Sequence, residues 1–209
     1  MTMIRSLVIL ILASSIVPLF AQVSASNRTH ANTNSCTSSF VVTAPVDVEK
    51  DFISSGWMGD GEKGKQYLQM TPVTGENPRP NDENNVVMKV RYQVGSIGWA
   101  GVYWQWPPNN WGDKPVKQIK GATKVTFWAA GQKGGEIVEF KAGGVTGKPC
   151  QDSFEVSLGR VALTKQWKRY EILLRRDERT PLAVVGAFAW VAEATPGGLT
   201  FFIDSIRYE

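Results

Sequence analysis

Residues 121–144 read GATKVTFWAAGQKGGEIVEFKAGG, and two short runs inside them decide the fold. In 123–130, Thr123, Val125, Phe127 and Ala129 share one parity, and Lys124, Thr126 and Trp128 share the other. In 135–142, Val138, Phe140 and Ala142 oppose Ile137, Glu139 and Lys141. Successive side chains of an extended chain point to opposite faces, so a period of two marks a strand with one apolar face.

The same pattern extends in both directions. Further candidate strands fall at 39–43, 47–53, 65–71, 85–94, 99–106, 153–158, 167–174, 184–192 and 199–208. Most are rich in β-branched and aromatic residues and are separated by Gly, Pro, Asn and Asp. The 20 glycines and 11 prolines match so many turns, and no stretch holds a 3.6-residue apolar period for three turns. The fold class is therefore all-β, a sandwich or a barrel.

The second face of these strands carries the functional signal. In 85–94, Val86, Met88, Val90 and Tyr92 oppose Lys89, Arg91 and Gln93. In 99–106, Ala100, Val102, Trp104 and Trp106 take the core parity, against Trp99, Gly101, Tyr103 and Gln105. Lys, Thr and Glu are the usual occupants of a solvated face, whereas Trp99, Tyr103 and Trp128 are not. Their flat rings match the C–H face of a sugar ring, with Gln105, Asn109, Asn110 and Glu139 placed to hydrogen-bond hydroxyls. The densest stretch is GWAGVYWQWPPNNWG (98–112), where Trp111 follows Pro107-Pro108-Asn109-Asn110 and sits on a loop. Two readings stand for these aromatics. Either they are open platforms, or a loop folds over them as a second small core, with Trp111 as a plug.

At the N-terminus, one positive charge at Arg5 precedes the apolar run Leu7–Phe20, followed by small residues. That is the layout of a secretory signal peptide over 1–25, with cleavage after Ala21 or, better, after Val23-Ser24-Ala25. The run is short for a membrane anchor. Export places the protein outside the cell or in a periplasm. Losing Arg5 leaves 22 of the 23 Lys and Arg residues against 19 acids, a mild charge that argues against nucleic acid. Residues 26–39 read as a flexible linker with a glycosylation sequon at Asn27-Arg28-Thr29, and 40–209 as one domain. Cys36 and Cys150 form either a disulfide or a pair of unlinked thiols.

Several chemistries are excluded. The one histidine, His30, lies in the linker, which removes His-assisted nucleophiles and the usual zinc sites. No phosphate-cradling glycine loop is present. Glu136 and Glu139 have an odd spacing and fall on opposite faces of one strand, so they do not flank a common bond. A carboxylate from elsewhere paired with Glu139 would make an enzyme, and the same aromatic face docking a protein would make an interaction module. Asp47, Glu49, Asp51 and Asp60 are acids of the early segment, and Asp204 lies in the last strand. Calcium takes six to eight oxygens, but no Asp-x-Asp-x-Asp run is present.

The segments 121–144, QDSFEVSL (151–158), QWKRYEILL (166–174) and GGLTFFIDSIRYE (197–209) resemble jelly-roll carbohydrate-binding modules with a galactose-binding-like fold. SGWMGDGEKG (55–64) and WAGVYWQWPPNNWGD (99–113) are similar to motifs of the same modules. The resemblance implies a two-sheet antiparallel β-sandwich without catalysis, binding a polysaccharide or oligosaccharide. It also implies a structural calcium, with Asp204 as the ligand from the last strand and Asp47 and Glu49 from the early acidic segment. Ser205 stands where many members have a second Asp.

Overall fold

The two runs of 121–144 become strands β8 (Lys124–Gly131) and β9 (Ile137–Gly143), and they belong to different sheets. The computed structural model describes residues 36–82, 84–174 and 179–209. The remaining strands are β1 (Thr37–Thr43), β2 (Val46–Asp47), β3 (Ile53–Gly59), β4 (Leu68–Thr74), β5 (Val86–Tyr92), β6 (Trp99–Gln105) and β7 (Val116–Lys120). After β9 come β10 (Glu155–Ala162), β11 (Lys168–Leu173), β12 (Leu182–Val184), β13 (Gly186–Glu193) and β14 (Leu199–Tyr208).

One sheet has the order β10-β9-β13-β6-β3, and the facing sheet has β11-β8-β14-β5-β4 with β2 paired to β14. Every pairing in these two sheets is antiparallel. The chain is thus the expected all-β, two-sheet antiparallel sandwich. A third small sheet, β1-β7-β12, contains a parallel pair, β1 with β7.

The core parities meet between the two large sheets. Phe127 of β8 lies 4.6 Å from Phe140 of β9 and 4.9 Å from Phe188 of β13, and Tyr170 of β11 stacks on Phe127 at 5.4 Å. Trp190 meets Phe201 edge-on at 5.1 Å. Burying such side chains stabilises the fold by about 1.5–3 kcal/mol each.

The structure departs from the sequence reading at several elements. The span 47–53 is not one strand: Asp47 ends β2 and caps a single helical turn at Val48–Asp51, its Oδ1 accepting the Glu49 N–H at 3.1 Å. β7 and β12 are short strands in stretches without clear alternation. β1 begins at Thr37, so the last residues of the stretch read as a linker are strand. Cys36, just before it, is disulfide-bonded to Cys150. The signal-peptide segment 1–25, the sequon at Asn27 and His30 lie outside the described residues.

Candidate functional site

β6 positions the site because its inner parity is fixed by the core: Ala100, Val102 and Trp104 are buried there. Trp99, Gly101, Tyr103 and Gln105 consequently face outward from the five-stranded sheet. Neighbouring strands carry glycine beneath the large side chains. A Cβ on Gly59 of β3 would stand 3.0 Å from the Trp99 ring, and one on Gly186 of β13 would stand 2.8 Å from the Tyr103 ring. A Cβ on Gly101 would likewise stand 2.8 Å from the Met58 methyl. Each ring lies directly on backbone, which is how a sheet presents flat aromatic surface.

The loop after β6 is built around Asn110, which is buried rather than offered to a ligand. Its Oδ1 accepts the N–H groups of Gly112, Asp113 and Lys114 at 3.0, 3.2 and 3.1 Å, and its Nδ2 donates to the Trp106 and Lys114 carbonyls at 3.2 Å each. This brings Trp111 edge-on to Tyr103, with ring centroids 6.0 Å apart and Trp111 36% exposed. Gly112 O accepts the Cys150 N–H at 2.9 Å, so the disulfide anchors the Trp111 loop. Tyr103 itself is buried, its hydroxyl donating to Gly143 O at 3.1 Å. Burial, with Asp152, Glu155 and Glu139 nearby, raises its phenol above the ordinary value. Gln105 is also buried and accepts from Ser55 Oγ at 3.1 Å. Asn109 is exposed, its N–H donating to the same Ser55 Oγ at 2.9 Å.

At the other end of β6, Trp99 is 36% exposed and leaves a loop organised by one carboxylate. Asp60 is fully buried and accepts Tyr92 Oη–H at 2.7 Å and the N–H groups of Gly95, Ile97 and Gly98 at 2.9, 2.8 and 3.1 Å. Burial pushes its pKa up, but these four hydrogen bonds outweigh burial and hold it below the ordinary value. The loop thus leaves Val94 and Ile97 exposed next to Trp99.

Across the sheet from Trp99, the outer face turns polar. Arg160 forms a two-pronged pair with Glu193 at 2.9 and 2.8 Å, Lys141 pairs with Glu155 at 2.7 Å, and Ser157 Oγ donates to Glu139 at 2.7 Å. Ile137, Glu139, Arg160, Val191 and Glu193 line a shallow depression of about 50 Å³. Trp99, Tyr103, Gln105 and Glu139 therefore share one sheet face, with Trp111 over Tyr103 at its margin.

The chain is similar in fold to carbohydrate-binding modules. A family 11 module from Clostridium thermocellum, solved with a β-1,3-1,4-mixed-linked tetrasaccharide, is 15% identical with a TM-score of 0.49, over 78% of this chain and 93% of that one. A family 30 module of a cellulosomal cellulase from the same organism is 12% identical with a TM-score of 0.47, over 76% and 92% of the two chains. No protein-family model and no curated protein matches the sequence.

Trp128 does not join this face. It lies on β8, in the other sheet, and the loop 75–82 folds over it. Arg79 sits 5.4 Å above its ring, while Trp167 Nε1 donates to Asn77 O at 2.9 Å. Val87, Ala130, Trp167 and Phe202 are buried beneath the same loop as a second small core. Parity put Trp128 on an outer face correctly, but a strand's parity does not say which sheet it enters or what covers it.

The carboxylates read as calcium ligands are neighbours, and some of their oxygens already hold protein partners. Asp204 accepts Asn85 Nδ2 at 2.7 Å, Ser205 Oγ at 3.1 Å and Arg79 Nε at 3.2 Å. Asp47 holds the Glu49 N–H and pairs with Lys50 at 3.2 Å. Burial first, then Asp204 and Asp47, push Glu49 up to about 7. Among the described residues no three His, Cys, Asp or Glu side chains converge as a metal site. Calcium takes six to eight oxygens, and one held by Asp47, Glu49 and Asp204 would have to displace the Arg79 guanidinium from Asp204 Oδ2. Glu136 is no strand residue either: its carboxylate closes the turn before β9, accepting the Lys133 and Gly134 N–H groups at 2.7 and 2.9 Å.

Sequence reasoning named Asp60 only among the early acids weighed for calcium and missed Arg79, and both shape the loops. Asp60 has one signal, its place beside glycines in SGWMGDGEKG. Arg79 has none, because its partner Asp204 is far away in the chain.

Proposed function

We propose that the chain is an exported, non-catalytic protein that binds a polysaccharide or oligosaccharide along β6, on the outer face of the five-stranded sheet. One observation carries this reading: Trp99 and Trp111, each 36% exposed, stand on either side of Tyr103 in the chain, on a face that also carries ion pairs, a hydroxyl and carboxylates beside Ile137 and Val191. Open rings beside polar groups are what a sugar requires, since its C–H face is apolar and its rim is hydroxyl. Export is supported by the apolar run Leu7–Phe20 and by the Cys36–Cys150 disulfide, which belongs to oxidising compartments. The absence of catalysis is supported by Glu136 and Glu139 both being engaged in local hydrogen bonds.

Covering one ring face removes about 50–80 Å² of apolar area, worth roughly 1–2 kcal/mol per platform. Two open platforms supply about 2–4 kcal/mol, so for a chain that covers both, stacking alone gives a Kd no tighter than about 10⁻³ M, and hydrogen bonds to hydroxyls must offset the cost of association. Isothermal titration against a polysaccharide panel tests this. Binding that Trp99→Ala weakens is the expected result, and no heat from any glycan overturns it. If the protein instead forms a concentration-dependent oligomer that Trp111→Ala breaks, the face docks protein. Reducing-sugar release lost in Glu139→Gln would make it an enzyme.

A further inference from the structure

Trp99 is flanked differently on its two sides. Its ring rests against Gly59 of β3 on one side of β6, and on the other side, across the β6–β13 pairing, its register partner is Glu193. Residues directly opposite in an antiparallel pair point to the same face, with Cβ atoms about 5 Å apart. The Glu193 side chain therefore stands on the outer face, beside the platform. It is held there by Arg160 of β10, which reaches across β9: Nη1 donates to Oε1 at 2.9 Å and Nη2 to Oε2 at 2.8 Å. Ile137 and Val191 supply the apolar part of the depression that this pair and Glu139 also line.

The Arg160 and Glu193 side chains are 56% and 64% exposed, and an exposed ion pair contributes little to stability. What the fork does is fix the direction of a carboxylate. Each carboxylate oxygen has room for a second hydrogen bond, and the guanidinium has N–H groups to spare, so the pair keeps free acceptors and free donors side by side. A sugar hydroxyl both donates and accepts, and two neighbouring hydroxyls on one ring match such a pair. Charge adds a second selection. Lys141 is committed to Glu155 and Arg160 to Glu193, which leaves Glu139 holding the Ser157 hydroxyl at 2.7 Å. The depression beside Trp99 thus carries two carboxylates, Glu139 and Glu193, against one guanidinium. A carboxylate or sulfate on the ligand meets like charge there, which costs affinity.

We propose that Glu193, held in position by Arg160, binds hydroxyls of the sugar ring that stacks on Trp99, so that the site selects neutral glycans over chains carrying carboxylate or sulfate. The proposal rests on the carbohydrate-binding reading and adds to it the ligand class and a residue that sets it, with Arg160 as the positioning residue.

The test titrates the full chain with the neutral hexose oligosaccharide giving the largest heat in the panel and with its C6-oxidised form. It is run at about 0.1 M salt, where charges more than roughly 10 Å away are screened. The neutral form should bind about tenfold more tightly than the oxidised one. Glu193→Gln keeps the shape and removes the charge, and it should weaken the neutral chain about tenfold and narrow or reverse the preference. Arg160→Met keeps the stem and removes the opposite charge, and it should weaken the neutral chain but widen the preference. A pair with only a structural role does not move the ratio in opposite directions. Both side chains are exposed, and an unchanged melting temperature verifies the fold of each variant. Equal or tighter binding of the oxidised form by the unmodified protein, or a preference that the two variants leave alone or move the same way, overturns the role of the pair. The β6 platforms then still stand on the loss caused by Trp99→Ala. No binding of any glycan removes both.

Discussion

Asp60 shows how much one buried carboxylate can organise. It spans the loop before Trp99 through three backbone N–H groups and Tyr92, and a Cβ on Gly95 would stand 2.3 Å from its Oδ1. Asp60→Asn turns an acceptor of four hydrogen bonds into a group with its own N–H donors facing other donors. It should destabilise the protein by about 2–4 kcal/mol and weaken binding at Trp99, as read by chemical denaturation and titration calorimetry. The pH dependence has a definite sign. The pKa of Asp60 is depressed on folding, so its contribution is present above the unfolded value near 4 and is lost as pH falls through the lower folded value. Glu49 and Asp152 behave oppositely. Burial raises both to about 7, so the folded protein holds their protons more tightly, and stability falls as pH rises from about 4 to 7. The melting temperature should therefore be highest at about pH 4 or just below and drop on either side. A monotonic rise from pH 4 to pH 8 would contradict these environments.

At the scale of elements, the long alternating strands were legible from sequence and the short ones were not. β8, β9 and β14 emerge where expected because a period of two over seven or more residues has no helical competitor. β7 and β12 are five and three residues long, too short for a period to show. The outward parity of Trp99, Tyr103 and Gln105 was also readable. Their exposure was not, because it depends on loops that arrive from distant positions. Tyr103 and Gln105 are covered by such neighbours, as is Trp128 by the loop 75–82. That loop is pinned by Arg79, whose guanidinium reaches Asp204 at 3.2 Å and lies over the Trp128 ring. Arg79→Ala leaves a buried carboxylate without its counter-charge and should cost about 3 kcal/mol or more. It should also open the tryptophan, seen as quenching of fluorescence by a soluble quencher. Chelation of calcium should leave the melting temperature of the unmodified protein unchanged, and a large drop would mean that Asp204 serves a metal instead. The disulfide acts on another element. It closes a separation of 114 residues, so its removal in Cys36→Ala/Cys150→Ala should cost about 4–5 kcal/mol in the chain-entropy picture.

For the whole molecule, the decisive feature is that Trp99 opens at the start of β6 while Trp111 opens beside Tyr103, towards the strand's other end. A short oligosaccharide covers one platform at a time, so Trp99→Ala and Trp111→Ala should each remove only part of its weak binding. A chain long enough to cover both engages them within one complex, and each truncation should then cost roughly 1–2 kcal/mol, a fall of about five- to thirtyfold in affinity. The rings do not touch one another, since Tyr103 stands between them, so the two losses should add in the double variant. Affinity should climb with chain length until both ends of β6 are covered and then level off. A titration series over increasing lengths, repeated for each variant, reads this directly. If affinity is independent of length and only one tryptophan matters, the ligand crosses the strands instead of following β6. The polar depression beside Glu139 and Arg160 would then be the second half of the site.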